Sequence, residues 1–367
     1  MVFRVLPPRG RPPKRPILGP LLAAAVLLLA AGRGGASADD AGAPIRLRVA
    51  GGLADIGQYL QHEEPFWKRR VPEITGGRVQ AEITPFDRTG IRGQEMLQLV
   101  RLGVVPFGNV LLSLAAADEP ELGGLDLPVL NPDVATLRRV ARLWRPRLTA
   151  LLRERYGVEL LAMYTYPAQV VFCRRPFSGL SDLAGRRVRT SSVSQSELVA
   201  GLGAVPVVIP FAEILGALRS GVVECAVTAA MSGNTVGLHK VTTHVSRLAI
   251  SWGVSVFAAN RAAWTALPDE ARTGIGEGLR RLESEIWRSA EVETENGLAC
   301  NAGFDTCAGG RRGRMTIVEE RDEDENLRAR LLRDVVLPSW VRRCGADCAD
   351  SWNRHIGPAL GLWAREQ

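Results

Sequence analysis

The sequence predicts an α/β fold in two lobes, with a hinge crevice between them and a helical C-terminal tail. Three observations predict it. Short apolar strands alternate with helical stretches of about ten residues, the pattern of helices layered on a sheet. The alternation runs in two blocks, the second opening near Val170. Past Ser255-Val256-Phe257 it gives way to helical spacing alone. The chain has 367 residues, 46% hydrophobic and 23% charged, which is enough for two cores and too apolar for disorder.

In the first block Ile45–Ala50 alternates as a strand, Gln58–Val71 has helical spacing broken at Pro65, and Arg78–Ile83 alternates again. Gly93–Leu102 reads as an amphipathic helix and Val110–Leu114 as a short apolar strand. Pro132–Tyr156 is a long arginine-rich helix, followed by the strand Val158–Met163. In the second block Val170–Cys173, Arg187–Thr190, Val205–Ile209 and Val222–Thr228 read as strands, and Ser194–Leu202 and Phe211–Ser220 as helices. Pro268-Asp269-Glu270 opens a long helix through Leu282, Ile286 and Trp287. Asn301–Arg314 is a glycine-rich loop, and two short helices end the chain.

The net charge of +7 is concentrated at the front. Arg4, Arg9, Arg11, Lys14, Arg15 and Arg33 lie within the first 38 residues with no acid, so removing these six cations leaves +1. A near-neutral body excludes a nucleic-acid partner of the kind held by phosphate neutralisation. The same cations precede an apolar run from Ile17 to Gly32 and then Ala36-Ser37-Ala38, the order of a cleaved secretory leader over residues 1–38. The run is short of a spanning helix and holds Gly19 and Pro20, so the mature chain is expected to be exported and not itself transmembrane. Six cysteines fit an oxidising compartment: Cys173, Cys225, Cys300, Cys307, Cys344 and Cys348. Disulfides outrank a zinc site, with Cys300–Cys307 and Cys344–Cys348 the economical pairs. Cys173 and Cys225, inside apolar runs, read as small buried hydrophobes.

Enzyme signatures are weak. Of the four histidines, His62 runs into Glu63-Glu64-Pro65 without a zinc motif, and His239 and His244 fall on different faces of a helix. Met231-Ser232-Gly233 lacks the leading glycine of a nucleophile elbow, and Gly274-Ile275-Gly276-Glu277-Gly278 sits in a helical pattern with no strand before it. The sequence implies no metal and no cofactor.

The segment Asp182-Leu183-Ala184-Gly185-Arg186-Arg187-Val188-Arg189 resembles the D-L-x-G-x-K-[IV]-R element of the periplasmic binding components of TRAP (tripartite ATP-independent periplasmic) transporters, the DctP-like family. Leu202-Gly203-Ala204-Val205-Pro206-Val207, Pro210-Phe211-Ala212-Glu213-Ile214 and Ala217-Leu218-Arg219-Ser220-Gly221-Val222-Val223-Glu224 follow in the family's order. Gly76-Gly77-Arg78-Val79, Gln98–Val104, Leu125-Asp126-Leu127-Pro128 and Asn260 with Trp264, Leu267 and Pro268 fit its remaining elements. The match spans most of Pro44–Glu295. It implies a type II-like periplasmic binding protein: residues 44–166 plus 254–294 form one lobe, and residues 167–253 plus 295–367, with the disulfide-rich tail, form the other. It also implies a periplasmic receptor that captures a small organic acid and hands it to TRAP-type membrane permease subunits, without catalysis.

The family's carboxylate-binding arginine falls on Arg189. The residues support it independently: Arg189 ends a strand, where open α/β sheets meet ligands, and a guanidinium takes a carboxylate in two parallel hydrogen bonds. The hydroxyls of Thr190, Ser191 and Ser192 and the following helix N-terminus add donors. The family's second basic residue falls on Gln169, which favours a monocarboxylate or a hydroxy or oxo acid over a dicarboxylate. Its polar residue after the next strand falls near Thr228. Glu95 has two readings, as acceptor for a ligand hydroxyl or as a helix cap, and Trp252 has two, as cleft wall or core. Rival functions are a transporter-independent sensor or scavenger, a secreted α/β hydrolase or lyase acting on small acids, and a disulfide-stapled structural protein.

Overall fold

The structure, a computed structural model, describes residues 43–365, so the expected leader over residues 1–38 lies outside the described residues. In chain order the strands are β1 (Ile45–Gly51), β2 (Val79–Pro85), β3 (Phe107–Leu111), β4 (Val158–Thr165), β5 (Gln169–Cys173), β6 (Arg187–Thr190), β7 (Val205–Val208), β8 (Cys225–Ala229), β9 (His244–Ser246), β10 (Val254–Asn260) and β11 (Thr316–Val318). They form two mixed sheets, ordered β2-β1-β3-β10-β4 and β11-β9-β5-β8-β6-β7. In the first, β1 runs parallel to β2 and β3, while β10 runs antiparallel to β3 and β4. In the second, β6 runs parallel to β7 and β8, and β5 runs antiparallel to β8. No described helix is long and apolar enough to cross a membrane.

The expected strand Val110–Leu114 lies three residues too late. Phe107-Gly108-Asn109 are buried strand residues and Leu112–Ala115 is helical. The expected strand Val222–Thr228 errs the other way and begins three residues too early: Val222 is exposed, Val223 and Glu224 lead in, and pairing starts at Cys225. Cys173 and Cys225 are not separate buried hydrophobes. They face each other across the β5–β8 register and are disulfide-bonded, as are Cys300–Cys307 and Cys344–Cys348.

Aromatic residues fill the first layer's core. Trp67 is fully buried against Phe66, Phe107 and Phe257, with ring centroids 5.3, 5.9 and 5.0 Å away. Each such side chain contributes roughly 1.5–3 kcal/mol by leaving water.

Three chain segments join the sheets. One runs from β4 to β5, one returns from β9 to β10, and the third is the helix Asp269–Ala302, 34 residues long. Its middle turns meet β4 through Glu283 and Trp287, and it also packs on the helix Ala230–Thr235 and on β11. Gly297 makes the closest approach: a Cβ there would stand 2.4 Å from the Met231 backbone nitrogen. The segments are tied together. Gln169 donates its N–H to Ser251 O (2.7 Å), Ile250 donates to Gln169 O (2.8 Å), and Ala168 donates to Thr294 Oγ1 (3.0 Å).

The tail reaches beyond the second sheet, where the sequence reading put it. Leu180 donates to Asp324 (2.8 Å), and Arg343 pairs with Glu197 (2.9 Å), both on second-sheet elements. Trp340 and Trp352, however, donate their indole N–H groups to Pro120 O and Gly124 O (each 2.8 Å) in the layer of the first sheet. Tryptophans buried with a satisfied polar handle make this a structural strap across both layers.

Candidate functional site

β6 is built from Arg187-Val188-Arg189-Thr190, in which only the β-branched Val188 and Thr190 are strand formers by propensity. Its neighbours hold it in place: Arg187 pairs with Val205 and Arg189 with Val207 on one side, and Arg189 with Ala226 on the other. The exposed Arg187 bonds the carbonyls of Val222 (2.8 Å) and Gly221 (3.1 Å). Arg189 is only 3% exposed. Its Nε donates to Ile209 O (2.8 Å) and its Nη1 to Val227 O (2.6 Å). No carboxylate lies within 4.0 Å of it among the described residues. Burial lowers its pKa to about 10, so it remains a cation at neutral pH. Its Nη2 has no protein hydrogen bond among the described residues and is not sealed from solvent.

Thr228 shares the Arg189 face of the sheet, two residues along β8 from the Arg189 partner Ala226. It is buried, and its hydroxyl is likewise unpartnered and unsealed. Gln169 pairs with Ala229, so alternation puts it on the opposite face. Its Oε1 accepts from Gln195 Nε2 (2.7 Å), which also donates to Ser251 Oγ (2.9 Å). Gln169 is therefore part of a neutral brace on the hinge segments.

The expected row of hydroxyl donors is already engaged. Thr190 Oγ1 bonds Ser196 Oγ (2.8 Å), and Ser191 donates both its N–H (2.9 Å) and its hydroxyl (3.0 Å) to Gln195 Oε1. Ser192 caps the helix Val193–Gly201, accepting from Gln195 N (3.2 Å).

Trp252 is buried, and its indole donates to Asn131 O (3.0 Å). Glu95 does not cap the helix it precedes: it makes no cap hydrogen bond and pairs with Arg92 on a half-exposed surface. The structure thus brings Arg189 and Thr228 to one face and joins Gln169 and Ser191 through Gln195. Trp252 and Glu95 lie apart from both groups' hydrogen bonds.

Two buried acids escaped the sequence reading. Asp126 accepts the backbone N–H groups of Trp252 (3.1 Å) and Gly253 (2.6 Å), at the return to β10. Burial pushes its carboxyl up to about 7. Gly253 has φ +84°, a left-handed conformation that glycine adopts without strain. Glu63, fully buried, accepts from Gly52 N (2.6 Å), Gln58 Nε2 (2.9 Å), Asn109 Nδ2 (2.7 Å) and the Tyr164 hydroxyl (2.9 Å). Burial raises its pKa and the four donors oppose the shift. Among the described residues no cluster of His, Cys, Asp and Glu could hold a metal ion.

Two mixed sheets joined by three bonded segments are the architecture of a two-lobed binding protein. The chain belongs to the bacterial extracellular solute-binding protein family 7, whose model matches residues 58–301. It is a solute-binding protein of the TRAP type. The C4-dicarboxylate-binding periplasmic protein DctP of Rhodobacter capsulatus is 25% identical over 233 residues, covering 63% of this chain and 69% of that protein. A Bordetella pertussis extracytoplasmic solute receptor binding pyroglutamic acid has the same fold, with a TM-score of 0.74, 21% identity and coverage of 84% of this chain and 99% of its own. So has a TRAP periplasmic solute binding protein from Desulfovibrio salexigens with bound orotic acid, with a TM-score of 0.74, 18% identity and coverage of 84% and 97%.

Proposed function

We propose that this receptor takes a small organic acid with one carboxylate, received by Arg189, and hands it unchanged to TRAP-type permease subunits in the membrane. The observation that carries the reading is the Arg189 guanidinium. It is buried and cationic, held by two backbone carbonyls, and among the described residues it has no acid against it and one nitrogen open. A carboxylate completes such a fork with charge-assisted hydrogen bonds. The Thr228 hydroxyl, on the same face, serves as a second contact, while Gln169 and Ser191 act through Gln195 to hold the hinge segments. A neutral glutamine where relatives carry a second cation favours one carboxylate over two. Pyroglutamate and orotate, bound by two proteins of this fold, each carry one.

In this reading, residues 44–166 with 254–294 and residues 167–253 with 295–367 are lobes that close on the ligand. Closure is favoured by contacts made only in the shut state. The leader is removed and the mature receptor works in the periplasm.

A thermal-shift screen of purified protein against small acids tests the proposal. At about 100 times its dissociation constant a ligand adds about 2.7 kcal/mol, a readily seen shift. Pyroglutamate and orotate are expected to outrank succinate, with the acid recovered unchanged at one equivalent per chain. Turnover of the acid, or no shift with any carboxylate, refutes the reading.

A further inference from the structure

The helix Val134–Tyr156 changes character along its length. In its C-terminal half Arg145, Arg147, Arg153 and Arg155 each meet an acid: Glu283, Glu121, Glu159 and Glu119. In its N-terminal half Arg138, Arg139 and Arg142 have no carboxylate within 4.0 Å among the described residues. Three cations toward the positive end of a helix, two of them spaced i and i+4, destabilise it through the dipole and through mutual repulsion.

The helix Asp269–Ala302 lies alongside and contributes Arg288, exposed and likewise without an acid partner. Arg138, Arg142 and Arg288 line one groove of ≈ 290 Å³ between the two helices. Its floor is already neutral. Arg145 grips both oxygens of Glu283 (2.5 and 3.0 Å), and Glu283 Oε2 also accepts Met163 N (2.9 Å). Arg138 lies 5.3 Å above the Trp287 ring, whose own N–H is spent on Met163 O (2.8 Å), so this guanidinium is held in place before any ligand arrives.

We propose that this groove is a second anion site, separate from Arg189, and that it binds a phosphoryl group. Three guanidinium forks around one concavity outnumber the two oxygens of a carboxylate and suit the three free oxygens of a phosphate ester. The phosphoryl group belongs either to a soluble phosphate compound or to a lipid headgroup, and the two sources give different results in one experiment.

The test is calorimetry with inorganic pyrophosphate at low ionic strength, together with flotation on vesicles of phosphatidylcholine alone or mixed equally with phosphatidic acid, whose phosphomonoester headgroup has three free oxygens. The proteins compared are the mature chain, its Arg142→Ser/Arg288→Ser variant and an Arg189→Met variant. Pyrophosphate is expected to bind once per chain, to bind Arg189→Met equally well, and to weaken about tenfold or more in the double variant. That variant keeps its melting temperature and its affinity for the acid bound at Arg189, because both arginines are exposed and lie on helices that pack on β4, in the other sheet. Flotation with the mixed vesicles only, lost in the double variant, assigns a lipid source. Pyrophosphate binding without flotation assigns a soluble one. Absence of binding to both probes, binding that survives the double substitution, or loss in Arg189→Met alone overturns the second site.

Discussion

Replacing Arg189 by methionine separates what this side chain does for the fold from what it does for the ligand. Methionine has a similar length and no charge. The substitution removes the donors to Ile209 O and Val227 O, two backbone carbonyls in the second sheet's layer. Each buried acceptor left unmade costs about 1–3 kcal/mol. Against that, a buried cation without a counter-charge disappears, and its desolvation cost disappears with it. The two terms oppose, so the empty protein is expected to keep a cooperative unfolding transition.

The ligand has no such compensation. Losing the buried charged partner of a carboxylate costs about 2–5 kcal/mol, a thirtyfold to several-thousandfold rise in Kd. Arg189→Lys is expected to fall between, since a lysine offers one point of charge and cannot bond Ile209 O, Val227 O and a ligand in the same fork geometry. The assay is calorimetry with pyroglutamate or whichever acid gives the largest thermal shift, paired with urea unfolding of each variant. Undiminished affinity in Arg189→Met, in a protein shown to be folded, removes Arg189 from the site and the carboxylate reading with it.

Other perturbations probe the frame around it. Asp126 titrates near 7 in the fold against an ordinary 3.8, so its contribution to stability is present below about pH 4 and is lost as pH rises through 7. Asp126→Asn should remove that dependence, and the wild-type-minus-variant difference in urea unfolding should change by up to about 4 kcal/mol between pH 4 and 8; parallel pH curves refute the assignment. The Cys173–Cys225 bond spans 52 residues, and replacing both cysteines by serine should cost about 4 kcal/mol by loop entropy, read as a lower urea midpoint; no change means the bond does not form. Thr228→Asp puts a carboxylate on the Arg189 face, which should abolish acid binding while leaving the melting temperature equal or higher. Retained binding would show that Thr228 does not face the open side of Arg189.

Much of the fold is legible in local pattern, because β1, β2, β6 and the long helices bury the residues whose spacing announces them. β3 is not, since Phe107-Gly108-Asn109 contains two poor strand formers that are strands only because β1 and β10 flank them. The Cys173–Cys225 bond depends on a cross-strand register between distant segments, which no spacing rule reports. Arg189 is legible as a strand-end arginine. Its freedom from any acid is not, because that is a statement about every neighbour. Glu63 is the converse case. In His62-Glu63-Glu64-Pro65 it looks like surface, and its burial follows only from Gly52, Asn109 and Tyr164 converging on it from three strands or strand ends.

Three buried charges in this molecule share one device. Glu63 and Asp126 are each held by neutral donors, and Arg189 by neutral acceptors, with no opposite charge in contact. Dipoles of the backbone and of amides oppose the desolvation of a buried charge without cancelling its field, though for Asp126 burial still pushes the carboxyl up to about 7. For Glu63 and Asp126 the bonded groups bind β1, β3 and the β10 approach into one frame, and Asp126 fixes the segment along which the two sheets are joined. For Arg189 the same device has a different consequence. An internal acid would have stabilised it more cheaply and would also have occupied the fork. Two carbonyls hold the plane of the guanidinium and leave Nη2 without a partner among the described residues, the arrangement that the proposed capture of an external carboxylate needs. A buried cation left without an acid costs desolvation that packing alone does not return, and under the proposed function the captured acid supplies the missing counter-charge.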